Sequence, residues 1–179
     1  MLSCLCVFIG VVYFAYAMTC LRPLLFPEVE VAGVVIMAVF HVILSLLLTS
    51  LYKVVRTDPG PVPPNWGYYV GDEQKRRRYC SACNLWKPDR THHCSVCNRC
   101  TLNMDHHCPW VNNCVGFWNR KFFIQFLLYA ILCVGLVSFH GLYFLVVDGY
   151  FFWSDIDQDP YRASEEWLAI TFYIIFVVV

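Results

Sequence analysis

The sequence predicts an all-α integral membrane protein, three transmembrane helices plus a truncated fourth, carrying a small cysteine-rich domain. Three observations predict it. Hydrophobic residues make up 59% of the 179 and charged residues 15%, a balance too apolar for a surface facing water. Apolar runs recur along the chain, three of them long enough to cross a hydrocarbon core of about 30 Å as helices. Between the second and third of these lies Cys80 to Asn119, which holds seven of the eleven cysteines and four of the six histidines.

Leu2 to Leu21 is apolar apart from Ser3, Thr19 and a few small residues and is expected to form the first transmembrane helix, 2–21. A cleavable signal peptide competes, because Ala15-Tyr16-Ala17 has the small-x-small form, but no basic segment precedes the apolar run. Pro23 and Pro27 break helical geometry, and Glu28 and Glu30 make the connection acidic. Val31 to Leu51 reads as the second span, 31–51, completing a helical hairpin over 1–52; Ala32, Gly33, Ala38 and Ser45 would let a neighbouring helix approach closely. Asp58-Pro59-Gly60-Pro61 then opens a proline-rich stretch, and the chain stays polar through a cysteine-rich domain, 53–121. The third span is expected at 122–147, followed by an acidic connection at 148–166 whose Tyr150, Phe151, Phe152, Trp153 and Tyr161 suit a membrane surface. The run at 167–179 is too short to span and is expected to be a truncated fourth helix.

Orientation follows from the basic residues. Lys53, Arg56, Lys75, Arg76, Arg77, Arg78, Lys87, Arg90, Arg99, Arg120 and Lys121 lie between the second and third spans, against Arg22 and Arg162 in the outer connections. That asymmetry puts 53–121 in the cytosol and 148–166 on the lumenal or extracellular side. The thirteen basic and thirteen acidic residues cancel, and no nucleic acid is expected among the partners. The run Lys75 to Arg78 is read first as a topology signal, and second as an attractor for anionic lipid or for the phosphates of a soluble ligand.

C-x2-C occurs three times in close order, as Cys80/Cys83, Cys94/Cys97 and the overlapping Cys97/Cys100. Such a pair can point two thiolates at one ion, and zinc takes four ligands in a tetrahedron. The remaining cysteines, Cys4, Cys6, Cys20 and Cys133, are scattered in apolar runs, a distribution of reduced thiols and metal ligands that agrees with a cytosolic side. If one cysteine is kept free, six others and two histidines complete two Cys3His sites. Cys108 is the candidate for the free thiol, since it lacks a C-x2-C partner and follows Asp105-His106-His107; the competing reading makes it one more ligand. Few apolar residues lie between Trp66 and Met104, so folding there is expected to depend on metal.

A cysteine nucleophile works as a thiolate and needs a base, itself oriented by a third group. Asp105, His106 and Cys108 supply those residue types within four positions. Spacing leaves open whether His106 or His107 is the base, because alternation in an extended segment puts His106 with Cys108 and Asp105 with His107.

Asp105-His106-His107-Cys108, followed by Pro-Trp-Val-Asn-Asn-Cys-Val-Gly and preceded by the Cys80 to Cys100 pattern, resembles the DHHC family of membrane protein S-acyltransferases, the palmitoyltransferases. The match covers about Lys53 to Val147, including Asp58-Pro59-Gly60, similar to the family's DPG motif. The resemblance implies Cys108 as acylated nucleophile, His106 as its base and Asp105 as the group that orients the imidazole. It implies one structural zinc on Cys80, Cys83, His93 and Cys100, and another on Cys94, Cys97, His107 and Cys114. Acyl-CoA, such as palmitoyl-CoA, would be the co-substrate, and cysteine-containing membrane-associated proteins the acceptors. Membrane lipids and a homo-oligomer complete the expected partners, in an endomembrane compartment: endoplasmic reticulum, Golgi or plasma membrane. Tyr129, Cys133, Val137 and His140 share a stripe of the third span that is a candidate wall for the acyl chain. The family's later TTxE motif and aromatic tail are not in the sequence. The alternative is therefore a catalytically inactive, truncated, zinc-scaffolded membrane protein acting in substrate binding or hetero-oligomerisation. A zinc hydrolase is a third reading and would need an open metal position.

Overall fold

The structure is a computed structural model and describes residues 2–24, 31–67 and 78–155. It contains three helices, α1 (Leu2–Leu24), α2 (Val31–Arg56) and α3 (Arg120–Asp155). Between α2 and α3 lie six short strands, β1 (Tyr79–Cys80), β2 (Leu85–Trp86), β3 (His92–Cys94), β4 (Arg99–Thr101), β5 (His106–Cys108) and β6 (Asn113–Val115). They pair as three antiparallel hairpins, β1 with β2, β3 with β4 and β5 with β6. The all-α expectation is thereby corrected. Strands of two or three residues leave no period to read, and what folds them is the tight turn inside each C-x2-C-type loop.

Gly33–Arg56 and Arg120–His140 are helical, long and apolar enough to cross a membrane, and Leu2–Phe14 is a shorter apolar helical stretch. α3 continues to Asp155, past the expected loop start at Asp148, since no proline interrupts 148–155. The expected stripe of Tyr129, Cys133, Val137 and His140 therefore lies on a longer helix, on which Cys133 is buried. The truncated fourth span at 167–179 lies outside the described residues, as do 156–166 and most of Lys75 to Arg78.

The chain divides into two compact units. One comprises Cys6–Leu44 and the chain from Ala130 onward. Within it the Tyr16 ring packs 4.3 Å from Phe40 and 5.6 Å from His140, which ties α1 to α2 and α3. His41 donates from Nδ1 to the Met37 carbonyl at 2.8 Å, leaving Nε2 to accept from the Tyr13 hydroxyl at 3.2 Å. A polar group within a span is thus satisfied by its own helix and its neighbour.

The other unit joins Ser45–Tyr129 to the first residues of α1 and carries all six strands. Its core runs from Leu47, Leu51 and Val54 of α2 to Val111, Cys114, Val115 and Phe126. The last turn of a helix leaves carbonyls without intrahelical partners. Here two side-chain amides take them: Asn113 Nδ2 reaches Val54 O at 3.0 Å, Val55 O at 3.3 Å and Thr57 O at 3.0 Å, and Asn119 Nδ2 lies 3.4 Å from Val54 O and Thr57 O. Pro59 stops α2, and Asp58 Oδ1 accepts the Gly60 N–H at 2.8 Å in a local turn that Gly60 permits with φ +119°. Pro59 and Gly60 then offer their carbonyls to Trp118 N–H and Leu102 N–H. Gly116 makes this approach feasible, because a Cβ there would lie 2.6 Å from the Pro59 oxygen.

The three hairpins are copies at a spacing of fourteen residues. Cys80 opposes Leu85, Cys94 opposes Arg99 and Cys108 opposes Asn113, each partner fourteen residues after the last. Asn84, Asn98 and Asn112 keep the same step and all have positive φ, 56°, 49° and 50°, a conformation asparagine tolerates better than most residues. This repeat was readable in the sequence.

Candidate metal centres and active site

Each hairpin presents two kinds of position: a turn that opens on a cysteine, which the first two hairpins complete as Cys-x-x-Cys, and a cross-strand pair just before it. In the second hairpin the pair is His93 opposite Cys100, and in the third it is His107 opposite Cys114. The first hairpin has Tyr79 opposite Trp86 there instead, meeting edge-on with ring centroids 4.8 Å apart. A turn from one hairpin meets the cross-strand pair of the next. Ligand atoms of Cys80, Cys83, His93 and Cys100 all lie within 4.8 Å of one another, and so do those of Cys94, Cys97, His107 and Cys114.

The separations suit a metal ion. In the first cluster His93 Nδ1 is 3.7 Å from Cys80 Sγ and 3.1 Å from Cys83 Sγ. In the second, His107 Nδ1 is 3.6, 3.4 and 3.6 Å from the sulfurs of Cys94, Cys97 and Cys114, and Cys97 and Cys114 are 3.5 Å apart. Tetrahedral bonds of about 2.0–2.3 Å give edges of roughly 3.3–3.8 Å. The thiols also behave as a set that needs a cation. Burial, then the neighbouring Cys80 and Cys83, push the Cys100 thiol up to about 12; burial, then Cys94 and Cys97, do the same at Cys114. Burial opposes ionisation of Cys80 and Cys94 as well, but the backbone N–H of Cys83 and of Cys97 helps to outweigh it, and both thiols fall below their ordinary value.

Cys108 lies outside both clusters and is buried at 6% exposure. Its turn, Cys108-Pro-Trp-Val111, keeps the shape of the two metal turns but has Val111, fully buried, where they have Cys83 and Cys97. On β5 the two histidines part. His107 turns to the sulfurs, while His106 donates from Nδ1 to Asp105 Oδ2 at 3.2 Å; strand alternation leaves His106 on the Cys108 face. The Phe123 ring, in the first turn of α3, stands edge-on to His106 at 5.3 Å. Sequence reasoning missed Phe123, and no local signal marks it. His92 is exposed on β3, opposite Thr101, and joins neither cluster.

The Asp58 side chain, beyond its turn with Gly60, accepts two bonds from Arg99 at 2.6 and 2.9 Å. That pair connects the end of α2 to the second hairpin.

A model of the DHHC palmitoyltransferase family matches residues 73–179. Probable protein S-acyltransferase 14 of Arabidopsis thaliana is 38% identical over 154 residues, 73% of this chain and 50% of its own length. Probable protein S-acyltransferase 13 of the same plant is 38% identical over 171 residues, 84% of this chain and 55% of its own. Palmitoyltransferase PFA3 of Saccharomyces cerevisiae is 57% identical over 68 residues, 38% of this chain and 20% of its own. The chain spans about half the length of the two plant relatives. With more than half of its residues inside the family match, the chain belongs to the DHHC palmitoyltransferase family.

Proposed function

We propose that the chain is a protein S-palmitoyltransferase that moves a long-chain acyl group from acyl-CoA to cysteines of membrane-associated proteins. The observation that carries this reading is the division of labour on β5. His107 faces three cysteine sulfurs, and its neighbour His106 is held by Asp105 on the face that strand alternation gives to the unligated Cys108. The relatives' names support the same chemistry.

With Nδ1–H committed to Asp105, Nε2 is the basic nitrogen of His106 and takes the Cys108 proton. The thiolate attacks the thioester carbonyl, coenzyme A leaves as the thiol with that proton, and Cys108 carries the acyl group. An acceptor cysteine, deprotonated by His106, repeats the exchange and restores Cys108. One thioester replaces another at each step, so no nucleotide hydrolysis is needed. Two zinc ions, on Cys80/Cys83/His93/Cys100 and Cys94/Cys97/His107/Cys114, would fill closed four-ligand shells and supply structure rather than a reactive water. The domain at 53–121 faces the cytosol of an endomembrane compartment, and α1, α2 and α3 supply the spans. Burial of the chain among them gains about 0.8 kcal/mol per methylene, so preference among acyl lengths is soft.

The test is incubation of the zinc-loaded chain with a clickable palmitoyl-CoA analogue. Hydroxylamine-sensitive label that disappears in Cys108→Ser and drops at least about 100-fold in rate in His106→Gln is expected. Absence of label on folded, zinc-loaded protein would overturn the reading.

A further inference from the structure

Four cations gather where α2 ends and α3 begins, and none of them pairs with a carboxylate among the described residues. Lys53 and Arg56 occupy the last turn of α2, and Arg120 and Lys121 open α3. Among the described residues the nearby acids are spoken for: Asp58 pairs with Arg99, and Asp105 with His106. The first turn of α3 carries no acidic residue, although the amino end of a helix is already electropositive and favours anions. Arg120 turns inward, donating to the Asn103 carbonyl at 2.9 Å. Lys53 and Lys121 are exposed and converge from two helices on one ring, their ammonium groups 5.4 and 4.9 Å from the Phe122 centroid.

From this convergence we infer that Lys53, Phe122 and Lys121 form a binding site for the phosphate-bearing headgroup of an anionic phospholipid. Phosphate chemistry follows from two unneutralised ammonium groups beside a helix amino end. The source is fixed by depth. Lys53 lies within the last turn of one candidate span and Lys121 is the second residue of the other, which sets both at headgroup level. Tyr52 and Trp118 flank the group at 64% and 50% exposure, as aromatic residues do at a membrane boundary. A soluble phosphate ligand would need neither the depth nor the aromatic rim. Arg78 is engaged elsewhere, donating to the Thr91 carbonyl at 3.2 Å, and the inference does not depend on acyl transfer.

The experiment reconstitutes the full chain in nanodiscs of phosphatidylcholine with a minor fraction of phosphatidylserine and counts lipids retained on release by native mass spectrometry. Retained phosphatidylserine is expected at about 25-fold over its share, a factor of about five for each lysine. K53Q/K121Q should bring the ratio close to one, with metal content unchanged as the check on folding, while K87Q, on the hairpin edge, should leave it alone. Equal enrichment in K53Q/K121Q overturns the site. Added coenzyme A supplies the other source of phosphate: if it displaces phosphatidylserine in a manner that needs Lys53 and Lys121, the lipid assignment falls, and retention in its presence supports it.

Discussion

Single side chains decide how the cysteine-rich unit is held to its helices. Asn119 is fully buried; it accepts the Gly116 N–H and donates to the Cys114 carbonyl, both at 2.8 Å. Asn119→Ala would strand both groups, and since an unpaired buried polar group costs about 1–3 kcal/mol, a loss of about 3 kcal/mol is expected in denaturant titrations in detergent. Asp58 gives a pH signature. The bonds from Arg99 hold its carboxyl below its ordinary 3.8 against the opposing effect of burial, with help from the Gly60 N–H. A depressed folded pKa means that this contribution is complete above 3.8 and is lost as pH falls through the lower folded value. Asp58→Asn should therefore flatten part of the acid slope of stability while leaving neutral pH with only a small loss, because the pair is partly exposed. Comparison of the two proteins separates this from acid loss of metal. The bonds that tie the hairpins to the end of α2 were not legible from the sequence: Asn113 meets Val54 across 59 positions and Arg99 meets Asp58 across 41, and only the folded chain brings such residues together. His106 and His107 stay open for a different reason, since alternation gives Cys108 to one and Asp105 to the other, and only the resemblance chooses between them.

At the scale of elements, the hairpins depend on one another. The middle hairpin contributes His93 and Cys100 to one cluster and Cys94 and Cys97 to the other, so adjacent residues on β3 belong to different centres. Metal content should be two zinc ions per chain, falling to one in His107→Ala and to one in His93→Ala, as read by elemental analysis of purified protein. Chelation of both should remove the protease resistance of Tyr79 to Val115, since strands this short have little apolar core to fall back on. The ligand spacing was visible beforehand because each turn is a local device, closing over four residues. The strands were not, because two or three residues carry no alternation, and the cue that would have found them is the fourteen-residue repeat.

For the whole molecule, the apolar runs announced the helices, and composition sufficed because a span must satisfy its backbone internally. Helix ends were less legible: α2 runs to Arg56 and α3 to Asp155, where turn chemistry rather than hydropathy sets the boundary. The proposed cytosolic orientation has a direct check. In sealed endoplasmic reticulum microsomes, whose cytosolic face is outward, a protease should cut a recognition site inserted between Pro61 and Gly67 without detergent; protection there would reverse the orientation. One further property of the molecule comes from its repetition. Each metal set follows one rule of spacing, and a third use of that rule would begin at Cys108 and pass through Val111, Lys121 and Leu128, none of the last three a thiol or imidazole. Cys108 is thus a ligand left without co-ligands, and the methyl groups of Val111 keep it from recapture. Val111→Cys would return a second sulfur and make the turn a trap for thiophilic ions: cadmium affinity should rise and acyl loading of Cys108 should fall, both recoverable with chelator. At this turn the first of the three missing co-ligands is a buried valine.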